Sequence, residues 1–173
     1  MSKFYKISRA DFADKHGDFE LLAVQGELCI VQSADELGLP FVKLEKLPQD
    51  LEKELNEKLT NAKATKIEQI NAARDEQINA GVEYKGKVFQ SAEKDRNLLV
   101  AAAAVGARAG KVAEKFVWIS KDNEQVPFTL DDIFALGALL AQNESVAILK
   151  ARNLKDKVAN ASTLKQVQAI SWL

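Results

Sequence analysis

The chain has 173 residues, 24 of them basic and 25 acidic, which gives a formal net charge of -1. This length fits one ordinary domain with an extension, or two small units. Charges of both signs are interspersed along the chain, which argues against binding to nucleic acid or a membrane surface, because such proteins need a basic excess on one face. The single cysteine, Cys29, excludes a disulfide within the chain, and its apolar neighbours indicate a buried side chain.

Residues 1–48 are predicted to form a small β-rich N-terminal unit. Apolar runs on either side of Gly26 indicate a hairpin, since glycine readily adopts the positive φ of a tight turn. A further apolar run, 39–42, contains Pro40, which restricts it to the start of a strand or to a sheet edge. A unit this small has little core of its own, so we expect it to pack on another surface, either of its own chain or of a neighbouring subunit.

A long helix is predicted over residues 49–81. Between Pro48 and Gly81 the chain has neither proline nor glycine and is rich in good helix formers, and Gly81 suits a C-cap. In the first half, apolar side chains recur at coiled-coil spacing. The predicted oligomerisation residues are Leu51, Leu55, Leu59 and Ala62. A helix this long and polar either packs on a second copy or bridges two domains, and we expect self-association as a dimer or trimer.

Residues 82–173 are predicted to form a compact helical domain with two short hairpins. The hairpins turn at 85–87 and at 121–125, where polar residues separate short apolar runs. Trp118 and Trp172 lie within apolar segments, so we expect them in the core of the domain.

Three helices are predicted in this domain. The first starts at Ser91 and is apolar on every face between Leu98 and Val105, which predicts a buried core helix. The second is capped by Thr129, runs to about Val158 and is expected to lie antiparallel to the first. A short third helix, starting at Thr163, is expected to close the core.

The predicted fold class is therefore α+β and helix-dominated. It comprises a small β-rich N-terminal unit (1–48), a long connecting helix that can form a coiled coil (49–81), and a compact C-terminal helical domain with two short hairpins (82–173).

No catalytic, cofactor-binding or metal-binding residue is predicted. The one histidine, His16, lies in a polar segment typical of a surface loop, so no zinc site or histidine-centred nucleophile is expected. The glycines form no nucleotide-binding pattern. Asp131 and Asp132 are interpreted as acids at a helix start, where the helix dipole favours negative charge. We therefore expect a protein that is not an enzyme and has no small-molecule substrate.

The sequence also predicts a protein without a membrane partner. The N-terminal residues lack the apolar stretch of a secretory signal. The apolar window from Leu98 to Ala109 contains Arg108 and is shorter than the ~20 residues of a bilayer span.

Several short motifs in the second half carry a resemblance to a known family. They are Ile70-Asn71-Ala72-Ala73-Arg74-Asp75, Gly81, Tyr84-Lys85-Gly86-Lys87-Val88-Phe89, Ser91-Ala92-Glu93-Lys94-Asp95-Arg96, Trp118, Asp122-Asn123, Val126-Pro127-Phe128-Thr129-Leu130, Leu154-Lys155-Asp156, Ala161-Ser162-Thr163 and Ile170-Ser171-Trp172. In this order and spacing, residues 71–172 resemble an uncharacterised domain family found mostly at the C-termini of bacteriophage and prophage tail-fibre and tail-associated proteins.

The resemblance implies a role in the virion or in its assembly and supplies no catalytic residues. Our leading hypothesis is a non-enzymatic structural or adaptor protein of a phage tail, made in the host bacterial cytoplasm and located in the virion tail after assembly. Its expected partners are other phage tail proteins and further copies of itself. Two alternatives stay open: an intracellular tail-fibre chaperone that is absent from the virion, and a small phage-encoded binding protein or enzyme inhibitor.

Overall fold

The computed structural model describes residues 3–173 and shows an α+β structure with about 52% helix. A β-rich N-terminal region, one long helix and a C-terminal helical region with short hairpins confirm the predicted fold class. In chain order the elements are β1 (Lys3–Ser8), α1 (Arg9–Phe12), β2 (Phe19–Gln25), β3 (Leu28–Ser33), β4 (Val42–Leu44), α2 (Gln49–Asn79), β5 (Val82–Tyr84), β6 (Lys87–Phe89), α3 (Glu93–Ala109), β7 (Val117–Ile119), β8 (Gln125–Pro127), α4 (Leu130–Asn160) and α5 (Leu164–Ala169).

The first sheet is antiparallel and has the strand order β2-β3-β1-β4. β2 and β3 form the predicted hairpin, and Gly26 has a φ of 59° in the turn between them. β4 follows Pro40 and lies at the edge of the sheet, as the proline predicted. The side chains of Tyr5, Cys29 and Val31 are almost fully buried on one face of the sheet, which is where its core lies.

A row of aromatic rings extends this core. The ring centroid of Phe41 lies 6.5 Å from that of Tyr5 and 5.2 Å from that of Phe19. The ring of Phe12, in α1, lies 5.8 Å from the ring of Phe19. The rings bury a large apolar area for few residues, so this small sheet has a core of its own.

The chain divides into two compact units within α2, the first ending at Lys58 and the second beginning at Leu59. The predicted domain boundaries follow residues 48 and 81, close to the two ends of this helix. The structure differs because the last part of α2 packs inside the second unit, where Ile70 is buried. That part of α2 is a core helix of the second unit and not a separate connecting segment.

α3 and α4 form the centre of the second unit and run antiparallel, as predicted. A Cβ atom at Gly137 would lie 3.7 Å from Cδ2 of Leu99, and one at Gly106 would lie 2.5 Å from Cδ1 of Leu130. The glycines therefore allow the two helices to approach closely. The buried core at this contact comprises Phe89, Leu99, Phe128, Ile133, Leu136 and Leu140.

A second core in this unit joins α2, α4 and the C-terminal residues. Its buried members are Ile70, Ala151, Leu154 and Val158. Trp172 packs against them partly buried, and Nζ of Lys150 lies 4.9 Å from the centroid of its ring. Trp118 packs against the α3–α4 core in the same way, so both tryptophans lie at the core, as predicted.

The prediction that α3 is a buried helix is wrong. Its buried residues are Leu99 and Gly106, whereas Val100 and Val105 are 67% and 70% exposed. A helix that is apolar all round is usually covered on all sides. In the part of the chain that the structure describes, α3 is covered on the side that faces α4 and the core, and its other sides are open.

Candidate interaction surfaces

Asp132, whose own side chain is buried, is the centre of a partly buried polar cluster at the start of α4. Its Oδ2 atom accepts hydrogen bonds from the backbone N–H of Thr129 (2.7 Å) and from the Thr129 hydroxyl (2.8 Å). The same hydroxyl accepts a hydrogen bond from the backbone N–H of Asp132 (3.2 Å), which completes a capping box. Oδ1 of Asp132 faces the turn between β5 and β6, where it accepts from the hydroxyl of Tyr84 (2.8 Å) and from Nζ of Lys85 (2.7 Å).

An ion pair and several hydrogen bonds hold this cluster together. The ion pair with Lys85, followed by the hydrogen bond from the Thr129 backbone, holds the pKa of Asp132 far below its ordinary value of 3.8. The hydrogen bond to the same carboxylate raises the pKa of Tyr84. Because both oxygens of Asp132 already accept hydrogen bonds and the carboxylate stays ionised, the cluster fastens the first hairpin to the start of α4. This geometry gives the cluster a structural role.

A second polar cluster, on the surface, connects the two hairpins. Nζ of Lys87 lies 2.7 Å from Oε1 of Glu124 and 3.4 Å from Oδ2 of Asp122. The hydrogen bond to Glu124 is the main reason that the pKa of Lys87 is raised. The backbone N–H of Lys121 donates to the carbonyl of Val88 (2.7 Å). The two turns that the sequence analysis singled out are therefore joined to each other.

The predicted oligomerisation residues lie on the first half of α2 and its centre. Leu51 is 4% exposed, so its own chain already covers it. The remaining three side chains, Leu55, Leu59 and Ala62, are partly exposed. They keep part of their apolar surface available, and their role in self-association stays a prediction.

Beyond these residues, α2 makes hydrogen bonds to other parts of the second unit. Nζ of Lys66 donates a hydrogen bond to the carbonyl of Ile170 (3.0 Å). The side-chain amide of Asn143, on α4, donates to the carbonyl of Gln77 (3.1 Å). The second half of α2 is therefore hydrogen-bonded to α4 and to the C-terminal residues.

The sequence analysis missed the outward side of α4. We define the α4 outer face as the exposed residues Asp131, Phe134, Ala138, Ala141, Gln142, Ser145, Ile148, Leu149 and Arg152. Its large apolar members, Phe134, Ile148 and Leu149, are 45%, 48% and 58% exposed. The signal was in the sequence, because residues 133–149 contain a single charge, Glu144. That carboxylate lies off the face, with Oε2 at 3.7 Å from Nε of Arg96.

A protein-family model matches this chain. The family model described as "Domain of unknown function (DUF4376)" matches residues 61–171, more than half of the chain. The chain belongs to this family. No curated protein and no solved structure matches the chain.

The DUF4376 region contains the Asp132 cluster, both short hairpins and the α4 outer face. It also contains Ala62, whereas Leu51, Leu55 and Leu59 precede it. The description of the family names no activity and no partner. The association with phage tails therefore stays a prediction.

The described residues contain no arrangement typical of a metal site. Within residues 3–173, no group of three or more His, Cys, Asp or Glu side chains is placed to hold a metal ion. One helix in the same range, α4, is long and apolar enough to cross a membrane by length and composition, a test that core helices of soluble proteins also pass. Of the window that passes this test, 28% is buried, so most of it lies outside the core of the described structure.

Proposed function

We propose that this chain is a non-enzymatic structural or adaptor protein of a bacteriophage tail, associated with the tail fibre or baseplate, that acts by protein–protein interaction. The observation that carries the interaction role is the amount of large apolar side chain exposed on the second unit. Leu98 and Val105 lie seven residues apart, on the same side of α3, and are 53% and 70% exposed. Exposed apolar surface of this kind typically marks a binding site for another protein.

The rest of the second unit supports a scaffold more than a reaction centre. Among the described carboxylates, that of Asp132 has the most strongly shifted pKa. It accepts hydrogen bonds from Tyr84, Lys85 and Thr129, so its charge stabilises the fold. Groups whose pKa is shifted for catalysis usually line a cleft and keep a reacting atom free. Here the perturbed group fastens a hairpin to a helix.

The tail setting comes from the resemblance of residues 71–172 to domains at the C-termini of tail-fibre and tail-associated proteins. Several of the residues that carry this resemblance, such as Tyr84, Lys85 and Thr129, belong to the Asp132 cluster. We infer that these motifs maintain the domain, and that the exposed side of α3 presents the binding surface to a neighbouring tail protein.

The test is quantitative mass spectrometry of purified virions from a phage that encodes this chain. We expect the chain in a fixed ratio to the other tail proteins. Its absence from virions, together with its presence in infected cells, would favour the chaperone alternative. Turnover of a substrate by the purified chain would refute the non-enzymatic assignment.

A matched pair of phage variants tests the surface itself. Val105→Asp places a charge on the exposed apolar side of α3 and should reduce incorporation into virions several-fold. Asn97→Asp adds the same charge at an exposed polar position of the same helix and should leave incorporation unchanged. Equal incorporation of both variants would mean that α3 is not part of the interface.

A further inference from the structure

The α4 outer face has the residue spacing of a helix–helix seam. From Asp131 to Arg152 its residues recur at alternating steps of three and four, through Phe134, Ala138, Ala141, Ser145 and Ile148. This is the spacing at which one helix meets another in a coiled coil. Between its two charged ends the face is uncharged over about 23 Å, from Phe134 to Leu149. A solvent-facing side of a helix is usually charged.

The order of residues along this face makes it complementary to itself. The negative charge, Asp131, lies at its beginning and the positive charge, Arg152, at its end. In a parallel pair each charge would face its own kind. In an antiparallel pair centred between Ala141 and Gln142, Asp131 of each copy lies opposite Arg152 of the other.

The same register also matches the sizes of the side chains. Phe134 of one copy lies opposite Leu149 of the other, so a large apolar contact forms at each end. At the centre, Ala138 lies opposite Ser145, and small residues there let the two helix backbones approach closely. Each contact occurs twice, which is the property of a two-fold symmetric interface.

We propose that the α4 outer face binds the α4 outer face of a second copy of this chain, as an antiparallel two-fold pair. The proposal rests on the charge order and spacing of α4 and not on the tail role, so it can fail or hold independently of the proposed function. It also differs from self-association through Leu55 and Leu59 on α2. It accounts for a helix that has enough apolar surface for a membrane span, because both of its faces are then covered by protein.

Disulfide trapping tests the register directly. In the double variant Ala138→Cys, Ser145→Cys, each new cysteine faces the other residue of the second copy, so mild oxidation should give a covalent dimer. The two positions are seven residues apart, about 10.5 Å along one helix. A disulfide requires Cα atoms within roughly 7 Å of each other, so the bond cannot form within one chain.

The single variants are the matched controls for this experiment. Ala138→Cys alone should give no covalent dimer, because in the antiparallel register the two copies of residue 138 are about 10 Å apart along the axis. Ser145→Cys alone should behave in the same way. The native Cys29 is buried, so the wild-type chain should not crosslink. Efficient crosslinking of the single variants would indicate a parallel pair and overturn the proposal.

Light scattering on the full chain tests the face without crosslinking. The wild type should have twice the mass of one chain, and Leu149→Asp should reduce it to the mass of one chain. Val100→Asp is the control, since Val100 is 67% exposed on a different helix, α3, and should leave the dimer intact. Circular dichroism should show unchanged helix content in both variants, because both positions are exposed.

Besides crosslinking of the single variants, two outcomes would overturn the proposal. One is a monomeric wild type. Another is a dimer that Leu149→Asp leaves intact while a change on α2 dissociates it. If a monomeric wild type also binds vesicles of phosphatidylglycerol and phosphatidylethanolamine, and Leu149→Asp abolishes that binding, the occupant of the face is a membrane and not a second copy.

Discussion

Nζ of Lys85 lies 2.7 Å from Oδ1 of Asp132 and connects the turn of the first hairpin to the first turn of α4. Lys85 makes this contact from a left-handed backbone conformation, with a φ of 52°. Non-glycine residues adopt this conformation at a cost, so the ion pair and the hydrogen bonds of the Asp132 cluster offset local strain.

Replacing Asp132 by Asn should destabilise the fold. The change removes the charge that Lys85 pairs with and weakens the capping box, so the free energy of unfolding should fall by on the order of 2 kcal/mol. Urea denaturation followed by circular dichroism measures this. The control is Glu93→Gln, which removes a charge from the exposed first turn of α3 and should cost about 0.5 kcal/mol. Equal losses in the two variants would show that the Lys85 contact contributes nothing.

The stability should also depend on pH through Asp132. Because the folded protein holds the pKa of Asp132 below the value of 3.8 in the unfolded chain, the unfolded chain binds the proton more readily. The contribution of this carboxylate is therefore complete above pH ~4 and is lost progressively as the pH falls below that value. Urea midpoints measured at decreasing pH should fall less steeply in Asp132→Asn than in the wild type. Parallel curves would contradict the assigned cause of the pKa shift.

Gly81 should not tolerate a side chain. It has a φ of 100°, and a Cβ atom there would lie 2.7 Å from the carbonyl oxygen of Phe89 and 2.8 Å from Cγ1 of Val88. Gly81→Ala should cost on the order of 3 kcal/mol, because the backbone conformation and the clash both oppose it. Gly86→Ala is the control, since Gly86 has a φ of 72° with open space around it and should cost about 1 kcal/mol. Thermal and urea unfolding would compare the two variants.

The partly exposed leucines of α2 offer a separate test of self-association. If they form an interface, the double variant Leu55→Asp, Leu59→Asp should lower the mass measured by light scattering while the helix content stays constant. Asn61→Asp, Ala64→Asp adds two charges at exposed positions of the same helix and should leave the mass unchanged. A wild type whose mass responds to neither variant would show that α2 does not mediate assembly.

Local signals predicted the elements of this fold. Gly26 indicated the turn of the β2–β3 hairpin, and Thr129 indicated the start of α4; both features depend on residues within a few positions of each other. Packing depends on residues far apart in the chain and was harder to predict. The apolar run of α3 contained no information on which of its sides would be covered, so the prediction of a buried helix was wrong.

At the candidate sites, too, contacts between distant segments were harder to predict than local structure. The contact between Lys85 and Asp132 joins two distant segments, and neither residue indicates the other in the sequence. The α4 outer face was visible in principle, because its spacing of three and four runs from Asp131 to Arg152. It was missed because the buried stripe through Ile133 and Leu140 accounts for the helix by itself, and a second stripe on the same helix has to be looked for separately.

β1 lies between β3 and β4 in the first sheet, although it precedes both of them in the chain. During translation, the segment Lys3–Ser8 emerges before either of the strands that it will pair with. The β2–β3 hairpin needs no distant partner, so it can form as soon as Ser33 has left the ribosome. β1, in contrast, has to join an existing edge of that hairpin. β4 then has its pairing partner in β1, so deleting Lys3–Ser8 would remove an interior strand and leave β4 without the strand it pairs with.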